Sequence, residues 1–155
     1  MRRIYVVLIA ALASTASISA VASAQGGTPT AHASRATTIE LGHTRLGSIL
    51  TTSSGFTLYE FSKDRTRENS CVKIKSCSGF WPALESSGNP TAGAGVQASL
   101  LSTIQLSGGA RQVTYAGHAL YLYSGDSGPR STSYVGAKQF GGTWDALGAS
   151  GQLVR

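Results

Sequence analysis

The stretch that decides the fold occurs twice: GFTLYEFSKD at residues 55–64 recurs as GHALYLYSGD at residues 117–126, with five of ten positions identical. A second block, GFWPAL at residues 79–84, recurs as GTWDAL at residues 142–147, with four of six identical. The offset is 62 residues for the first block and 63 for the second. Two blocks that agree in order and spacing indicate that the chain contains two copies of one unit.

Short alternating runs that are broken by Gly and Ser predict a β-hairpin in each copy. The first joins 46–51 to 56–61, and the second joins 111–115 to 119–123. A unit of about 60 residues buries little surface alone, so the two apolar faces are expected to cover each other. The sequence predicts a mainly β domain with little helix, in which two repeats pack with pseudo-two-fold symmetry.

Residues two apart in a strand share a face, so Tyr59 and Phe61 point one way and Leu58 and Glu60 the other. The second copy, residues 120–123, is apolar on both faces. This pattern predicts that the second copy forms the more central strand.

Residues 1–24 have the pattern of a secretory signal peptide: Arg2 and Arg3, an apolar run at 4–13, and small residues up to Ala24, after which we expect cleavage. The apolar run is too short to favour a spanning helix. Residues 25–40 are rich in Gly, Thr, Ala and Ser and are predicted to be a flexible tether.

Residues 41–155 are then a single β-rich domain of two repeats, about 41–88 and 96–155. Residues 88–95, rich in Gly and Ala, are interpreted as a plain connection between the repeats. Residues 96–106 have apolar positions at helical spacing, although the end of this segment could also begin a strand.

The chain carries 13 Lys and Arg against 7 Asp and Glu. Without Arg2 and Arg3 the balance is 11 against 7, or +4. These charges are scattered, with the densest group at residues 63–75, and no basic stripe with stacking aromatics is present. The pattern disfavours nucleic-acid binding and leaves weak attraction to an anionic cell surface open.

The repeated polar residues are the candidate site. Asp64 and Asp126 each follow a strand and are expected to lie in turns, five residues beyond a tyrosine and out of its reach within the same extended repeat. An Asp–Tyr hydrogen bond becomes possible if the chain folds back or the other half is adjacent. A buried aromatic pair with a turn aspartate is one interpretation; two symmetry-related polar sites are the other. The residues of this site are Tyr59, Phe61, Asp64, Trp81, Tyr121, Tyr123, Asp126 and Trp144.

Cys71 and Cys77 enclose five residues, and in an exported chain they predict a structural disulfide. The spacing differs from C-x-x-C, which disfavours a redox-active pair. The three histidines are separated in sequence, and His118 lies in a hairpin turn, so the pattern predicts no metal site.

The motif Y-x-[FWY]-x-x-D occurs at Tyr59–Asp64 and again at Tyr121–Asp126. With the Gly-x-Trp blocks and the export signal, the chain resembles a family of bacterial secreted or lipoprotein repeats that is known by this motif. The resemblance implies a cell-envelope protein of uncharacterised function, for which electron transfer or envelope interactions are conjectured. No cysteine precedes Cys71, so the lipid-attachment cysteine of many members is lacking.

No catalytic or phosphate-binding motif is present. The sequence favours an exported, non-enzymatic binding module without a cofactor or stable membrane anchor. We expect a monomer whose partner is an envelope protein or a small ligand. The alternatives are a redox or electron-transfer accessory protein and a hydrolase that uses Asp64 and Asp126 as its carboxylate pair.

Overall fold

The structure, a computed structural model, describes residues 36–155, so the predicted signal peptide and most of the predicted tether lie outside the described residues. Strand β1, Thr38–Thr44, is antiparallel to β2, Gly47–Thr52. The ordered domain therefore begins before residue 41, inside the segment expected to be a tether. The reason is that Ile39 is fully buried in the core and holds the start of β1 in place.

The segment between the repeats is more structured than predicted. Within residues 88–95, β4, Thr91–Ala92, pairs in parallel with the start of β1. The amide of Gly93 also donates to the carbonyl of Ile39 (2.7 Å). The connection thus covers one edge of the first sheet, because it satisfies backbone groups of β1 there.

The first predicted hairpin forms only near its turn. The amide of Gly55 donates to the carbonyl of Thr52 (2.8 Å), and that of Leu58 donates to Leu50 (3.0 Å). The chain then leaves β2, and β3, Tyr59–Phe61, pairs antiparallel with β9, Gly142–Leu147. The Tyr59 segment thus joins the first repeat to the second.

The second predicted hairpin is present as β6, Arg111–Tyr115, and β7, His118–Ala119. Strand β5, Leu101–Gln105, is antiparallel to β6 and follows a single 3₁₀ turn at Ala98–Leu100. Of the two readings for residues 96–106, the strand is correct; the helical spacing produces one turn only.

The remaining strands flank β9: β8, Ala137–Gln139, on one side and the short β10, Leu153–Val154, near its end. Within residues 36–155 the one α-helix is α1, Cys77–Phe80, preceded by a 3₁₀ turn at Cys71–Lys73. The prediction of a mainly β protein with little helix is confirmed. No helix in this part of the chain is long and apolar enough to cross a membrane.

The core has two parts, and they follow the strand alternation. One contains aliphatic residues such as Leu58, Leu120 and Leu147. The other, the aromatic cluster, contains the following buried residues: Tyr59, Phe61, Cys71, Cys77, Trp81, Ala119, Tyr121 and Trp144. Leucines and aromatics of each repeated strand thus lie in different parts of the core, as the period of two predicts.

Candidate functional site

The two copies of the repeated strand meet at their tyrosines. Tyr59 and Tyr121 lie opposite each other in antiparallel orientation, and each amide donates to the other's carbonyl, at 3.0 and 2.9 Å. On the outer sides, Ala146 lies opposite Tyr59 and Ala83 lies opposite Tyr121. Ala83 and Ala146 are themselves equivalent in the aligned repeats. Both repeated strands therefore have neighbours on both sides, so the prediction that the second is more central is wrong. In the first strand the Glu60 carboxylate is buried and lies 3.4 Å from the His118 ring.

Each phenol reaches the aspartate of the other repeat. Tyr121 donates to Asp64 Oδ2 at 2.6 Å, and Tyr59 donates to Asp126, with both carboxylate oxygens at 3.1 Å. Both aspartates lie in turns, as predicted: their amides donate to the carbonyls three residues earlier. Of the two ways in which an Asp–Tyr hydrogen bond was expected to be possible, the adjacent other half provides it, and it does so in both directions.

Five aromatic rings form a column through the centre of the domain. The indoles of Trp81 and Trp144 are parallel, with centroids 3.9 Å apart. Phe61 stacks on the outer face of Trp144 at 4.1 Å, and Tyr123 lies on that of Trp81 at 4.3 Å. Tyr134 extends the column at 3.9 Å from Tyr123. We call these five rings the aromatic column.

The repeated tyrosines lie edge-on to this column. Tyr59 contacts Trp81 and Tyr121 contacts Trp144, in both cases with ring centroids 5.1 Å apart. Edge-to-face contacts of this kind add stability beyond the area that they bury. The equivalent Tyr and Trp residues therefore make the same contact in each repeat.

Burial sets the protonation of the polar groups. Desolvation raises the pKa of the Asp64 and Asp126 carboxyls, and the tyrosine hydrogen bonds offset part of this rise. Burial, reinforced by the neighbouring carboxylates, raises the pKa of the Tyr59 and Tyr121 phenols far above its usual range. The phenols therefore remain neutral and act as donors.

The candidate residues divide by exposure. Five of them are fully buried and have no surface available to a partner: Tyr59, Phe61, Trp81, Tyr121 and Trp144. Asp64, Tyr123 and Asp126 are partly exposed. Of the eight candidate residues, only these three are therefore accessible to a ligand.

Asp64 and Asp126 are not brought together. Because the strands that precede them run antiparallel through the Tyr59–Tyr121 pair, the following turns leave in opposite directions. Each carboxylate is held by a different phenol. This arrangement does not provide the carboxylate pair that a hydrolase would need.

The second half of the chain carries the sequence signature of a described group of proteins. Residues 102–147 match a family model described as a secreted repeat of unknown function. This part of the chain is therefore similar to that family. The match includes Tyr121, Asp126 and Trp144, and it confirms the resemblance inferred from the motif. No curated protein and no solved structure matches the chain.

Two cavities occupy equivalent positions in the aligned repeats but differ in size. Glu60, Phe61 and Asp64 line a cavity of about 80 Å³, which His118 also lines. Their counterparts 62 residues later line an open groove of about 440 Å³. The groove is lined by Thr52, Ser54, Phe56, Pro82, Leu122, Tyr123, Ser124 and Asp126. Of these two, the groove beside Asp126 is the one large enough for an organic ligand.

Sequence reasoning missed a buried acidic pair. Glu60 and Asp145 lie directly opposite each other on β3 and β9, 4% and 0% exposed. His118 faces Glu60, and Arg155 binds Asp145 at 3.0 Å. The sequence did contain a sign of a buried acid: Glu60 lies on the same strand face as Leu58, at the position where the second copy has Leu122. Within residues 36–155, no three His, Cys, Asp or Glu side chains are grouped as metal ligands.

Cys71 and Cys77 form the predicted disulfide. Both are fully buried in the aromatic cluster. The two tryptophans nevertheless differ in backbone: Trp81 follows α1, whereas Trp144 lies within β9. Trp144 has extended backbone because its segment pairs with β3 and with β8.

Proposed function

We propose that the protein is an exported, non-enzymatic binding module, and that the groove beside Asp126 is its binding site. The observation that carries this proposal is the difference between the two equivalent cavities: about 80 Å³ in the first repeat and about 440 Å³ in the second. The buried motif residues hold the domain together, and the groove is the part of the motif that a ligand can reach. The proposal includes a monomeric protein that needs no cofactor and does not bind nucleic acid.

The lining of the groove defines the chemistry of its ligand. Phe56, Pro82 and Leu122 supply apolar surface, and the hydroxyls of Thr52, Ser54 and Ser124 surround it. Asp126 supplies a carboxylate at the edge, where desolvation raises its pKa. This combination suits a small ligand, or a side chain of an envelope protein, with an apolar body and a hydrogen-bond donor.

The experiment is an NMR titration of isotope-labelled protein with a fragment set of aromatic amines, aliphatic amines and neutral sugars. We expect amide shifts around Leu122, Tyr123 and Asp126, with the amines giving the largest shifts. The variant Leu122→Ser removes apolar lining from the groove without adding a charge and should weaken these shifts. Leu153→Ser, at an exposed apolar site on β10, is the matched control. Shifts confined to another surface, or none at millimolar fragment, would refute the proposal.

Export is part of the same proposal, supported by the secreted family of residues 102–147. We propose that residues 1–24 are removed after Ala24. Intact-mass measurement of the protein recovered from outside the cytoplasm should give the mass of residues 25–155. A product that retains residue 1 would contradict this cleavage.

We also infer that the repeats are related by a pseudo-two-fold axis between Tyr59 and Tyr121. Three kinds of contact support it: the reciprocal Tyr–Asp bonds, the edge-on Tyr–Trp contacts, and the equivalent Ala83 and Ala146 positions. A superposition of the two repeats in an experimental structure tests this; a rotation far from 180° would contradict it.

Electron transfer is a second candidate, favoured by the aromatic column and by phenols whose hydrogen bonds end on carboxylates. A tyrosine that loses an electron to a one-electron oxidant can pass its proton to the bound aspartate. Flash photolysis with a photo-generated ruthenium(III) oxidant should then yield a tyrosyl radical that Tyr59→Phe and Tyr121→Phe together remove. An unchanged radical yield in that variant would exclude these tyrosines.

A further inference from the structure

The first repeat carries two exposed apolar side chains, one on its disulfide loop and one just after it. Val72 and Phe80 are 49% and 50% exposed, which is unusual for large apolar side chains. Phe80 also contacts Phe140, with ring centroids 6.0 Å apart, and both Ile74 and Phe140 are partly buried against the aromatic cluster. We call Val72, Ile74, Phe80 and Phe140 the apolar patch. The second repeat has no cysteines, so this disulfide-closed surface is an addition to the repeated unit.

Four lysines lie close to residues of the apolar patch, either along the chain or, for Lys63, beside Gly141. Lys73 and Lys75 alternate with its residues along the disulfide loop, and both are exposed. Lys138 precedes Phe140 by two residues, and the side chain of Lys63 lies over Gly141, the residue after Phe140. These four lysines therefore form a basic rim.

Acidic residues do little to neutralise this rim. Glu68 binds Lys73 at 2.7 Å, and both side chains remain accessible to solvent. Asp64 is turned inward, where it accepts hydrogen bonds from Tyr121 and from the amide of Ser70. The surface around the patch thus keeps a net positive charge.

The patch is held in place before any partner arrives. The disulfide closes the loop, and both of its sulfurs are buried against the aromatic cluster. Little chain ordering is then required when the surface docks, which favours binding through few contacts.

We propose that the apolar patch and its lysines dock the protein peripherally on an anionic lipid bilayer. A stable protein partner usually covers about 800 Å² of each surface with a larger apolar centre than two half-exposed side chains provide. A bilayer needs less: a few apolar side chains enter the headgroup boundary while neighbouring lysines are attracted to anionic lipids. This inference concerns a surface separate from the proposed groove and does not depend on it.

The test is co-sedimentation of the secreted protein with vesicles of equal parts phosphatidylcholine and phosphatidylglycerol, against vesicles of phosphatidylcholine alone. Binding to the anionic vesicles should be at least about tenfold stronger and should weaken as salt is raised. Val72→Ser with Phe80→Ser, and separately Lys73→Gln with Lys75→Gln, should each reduce it. Leu153→Ser removes the other exposed large hydrophobic of residues 36–155 and should leave it unchanged.

Equal sedimentation with both vesicle types, or with all variants, would overturn the proposal. Binding to soluble polyglutamate that equals vesicle binding and is unaffected by Val72→Ser with Phe80→Ser would also overturn it, in favour of an acidic soluble partner. Circular dichroism spectra and melting temperatures close to those of the unmodified protein establish that the variants are folded; all five substituted side chains are exposed.

Discussion

Trp81 and Trp144 lie face to face at the centre of the molecule, with an interplanar angle of 4°. They are contributed by equivalent blocks of the two repeats, one after a helix and one within a strand. Their surroundings differ in one hydrogen bond: Trp81 Nε1 donates to Gln139 at 2.9 Å, whereas Trp144 Nε1 is buried without a partner in the described structure. The stacked indoles therefore connect the two repeats, but only the Nε1 of Trp81 has a hydrogen-bond partner among residues 36–155.

Replacing each tryptophan by phenylalanine should therefore lower the free energy of unfolding by different amounts. Both substitutions lose packing, but Trp81→Phe also removes a hydrogen bond, whereas Trp144→Phe removes an unpaired donor. We expect Trp81→Phe to lower the free energy of unfolding by about 1 kcal/mol more than Trp144→Phe does. Urea denaturation monitored by circular dichroism measures the difference. A larger loss for Trp144→Phe would contradict the assignment.

The Tyr121–Asp64 bond should couple the two repeats. Tyr121→Phe leaves a half-buried carboxylate without its phenol donor, so we expect a loss of about 1–3 kcal/mol in the free energy of unfolding. In a double-mutant cycle with Asp64→Asn, the coupling should be about 0.5–2 kcal/mol. Tyr121→Phe with Asp126→Asn pairs residues that share no hydrogen bond and is the control, expected to be additive. Equal coupling in both cycles would refute a specific Tyr121–Asp64 interaction.

The aspartates should make stability depend on pH in an unusual direction. Because desolvation raises their pKa in the folded state, the stability that they contribute is fully present below the unfolded pKa of about 4. It declines as the pH rises through the folded pKa. The stability of the unmodified protein relative to Asp64→Asn or Asp126→Asn should therefore be greater at pH 4 than at pH 7. Urea denaturation at both pH values measures it; an advantage that grows toward neutral pH would contradict the raised pKa.

Gly79 and Gly142 are equivalent in the two copies, but only Gly142 lacks room for a larger side chain. A Cβ at Gly142 would lie 2.5 Å from Phe61 Cε2, whereas one at Gly79 would meet nothing within 4 Å. Gly142→Ala should disturb the aromatic column and cost about 1–3 kcal/mol. Gly79→Ala, the matched control within α1, should be neutral or stabilising by up to about 1 kcal/mol. Thermal melts of the two variants compare them, and equal effects would show that Phe61 does not confine Gly142.

The disulfide should resist reduction while the protein is folded, because both sulfurs are buried. Dithiothreitol should release no free thiols at neutral pH in native buffer, and two per chain in concentrated urea. Cys71→Ser with Cys77→Ser should lower the free energy of unfolding by about 2 kcal/mol. Rapid reduction under native conditions would instead indicate an accessible, exchangeable bond.

Local sequence patterns were sufficient to predict the β class and the two faces of each repeated strand. The alternation of the sequence predicted that Leu58 and Tyr59 lie in different parts of the core, because successive side chains of a strand point to opposite faces. The spacing of Cys71 and Cys77 was likewise sufficient for the disulfide. The start of β1 and the strand at Thr91 were missed because their backbone partners lie far away in sequence.

By itself, the sequence was sufficient for two similar blocks, for the β class and for the disulfide in the first block, and residues 102–147 carry the family signature. Only the tertiary structure decided that each tyrosine binds the other repeat's aspartate, that five motif aromatics are buried, and that the equivalent cavities diverge. The physical reason is that strand direction and face are local properties. The partner of a phenol, and the space left beside it, depend on which distant segment packs there.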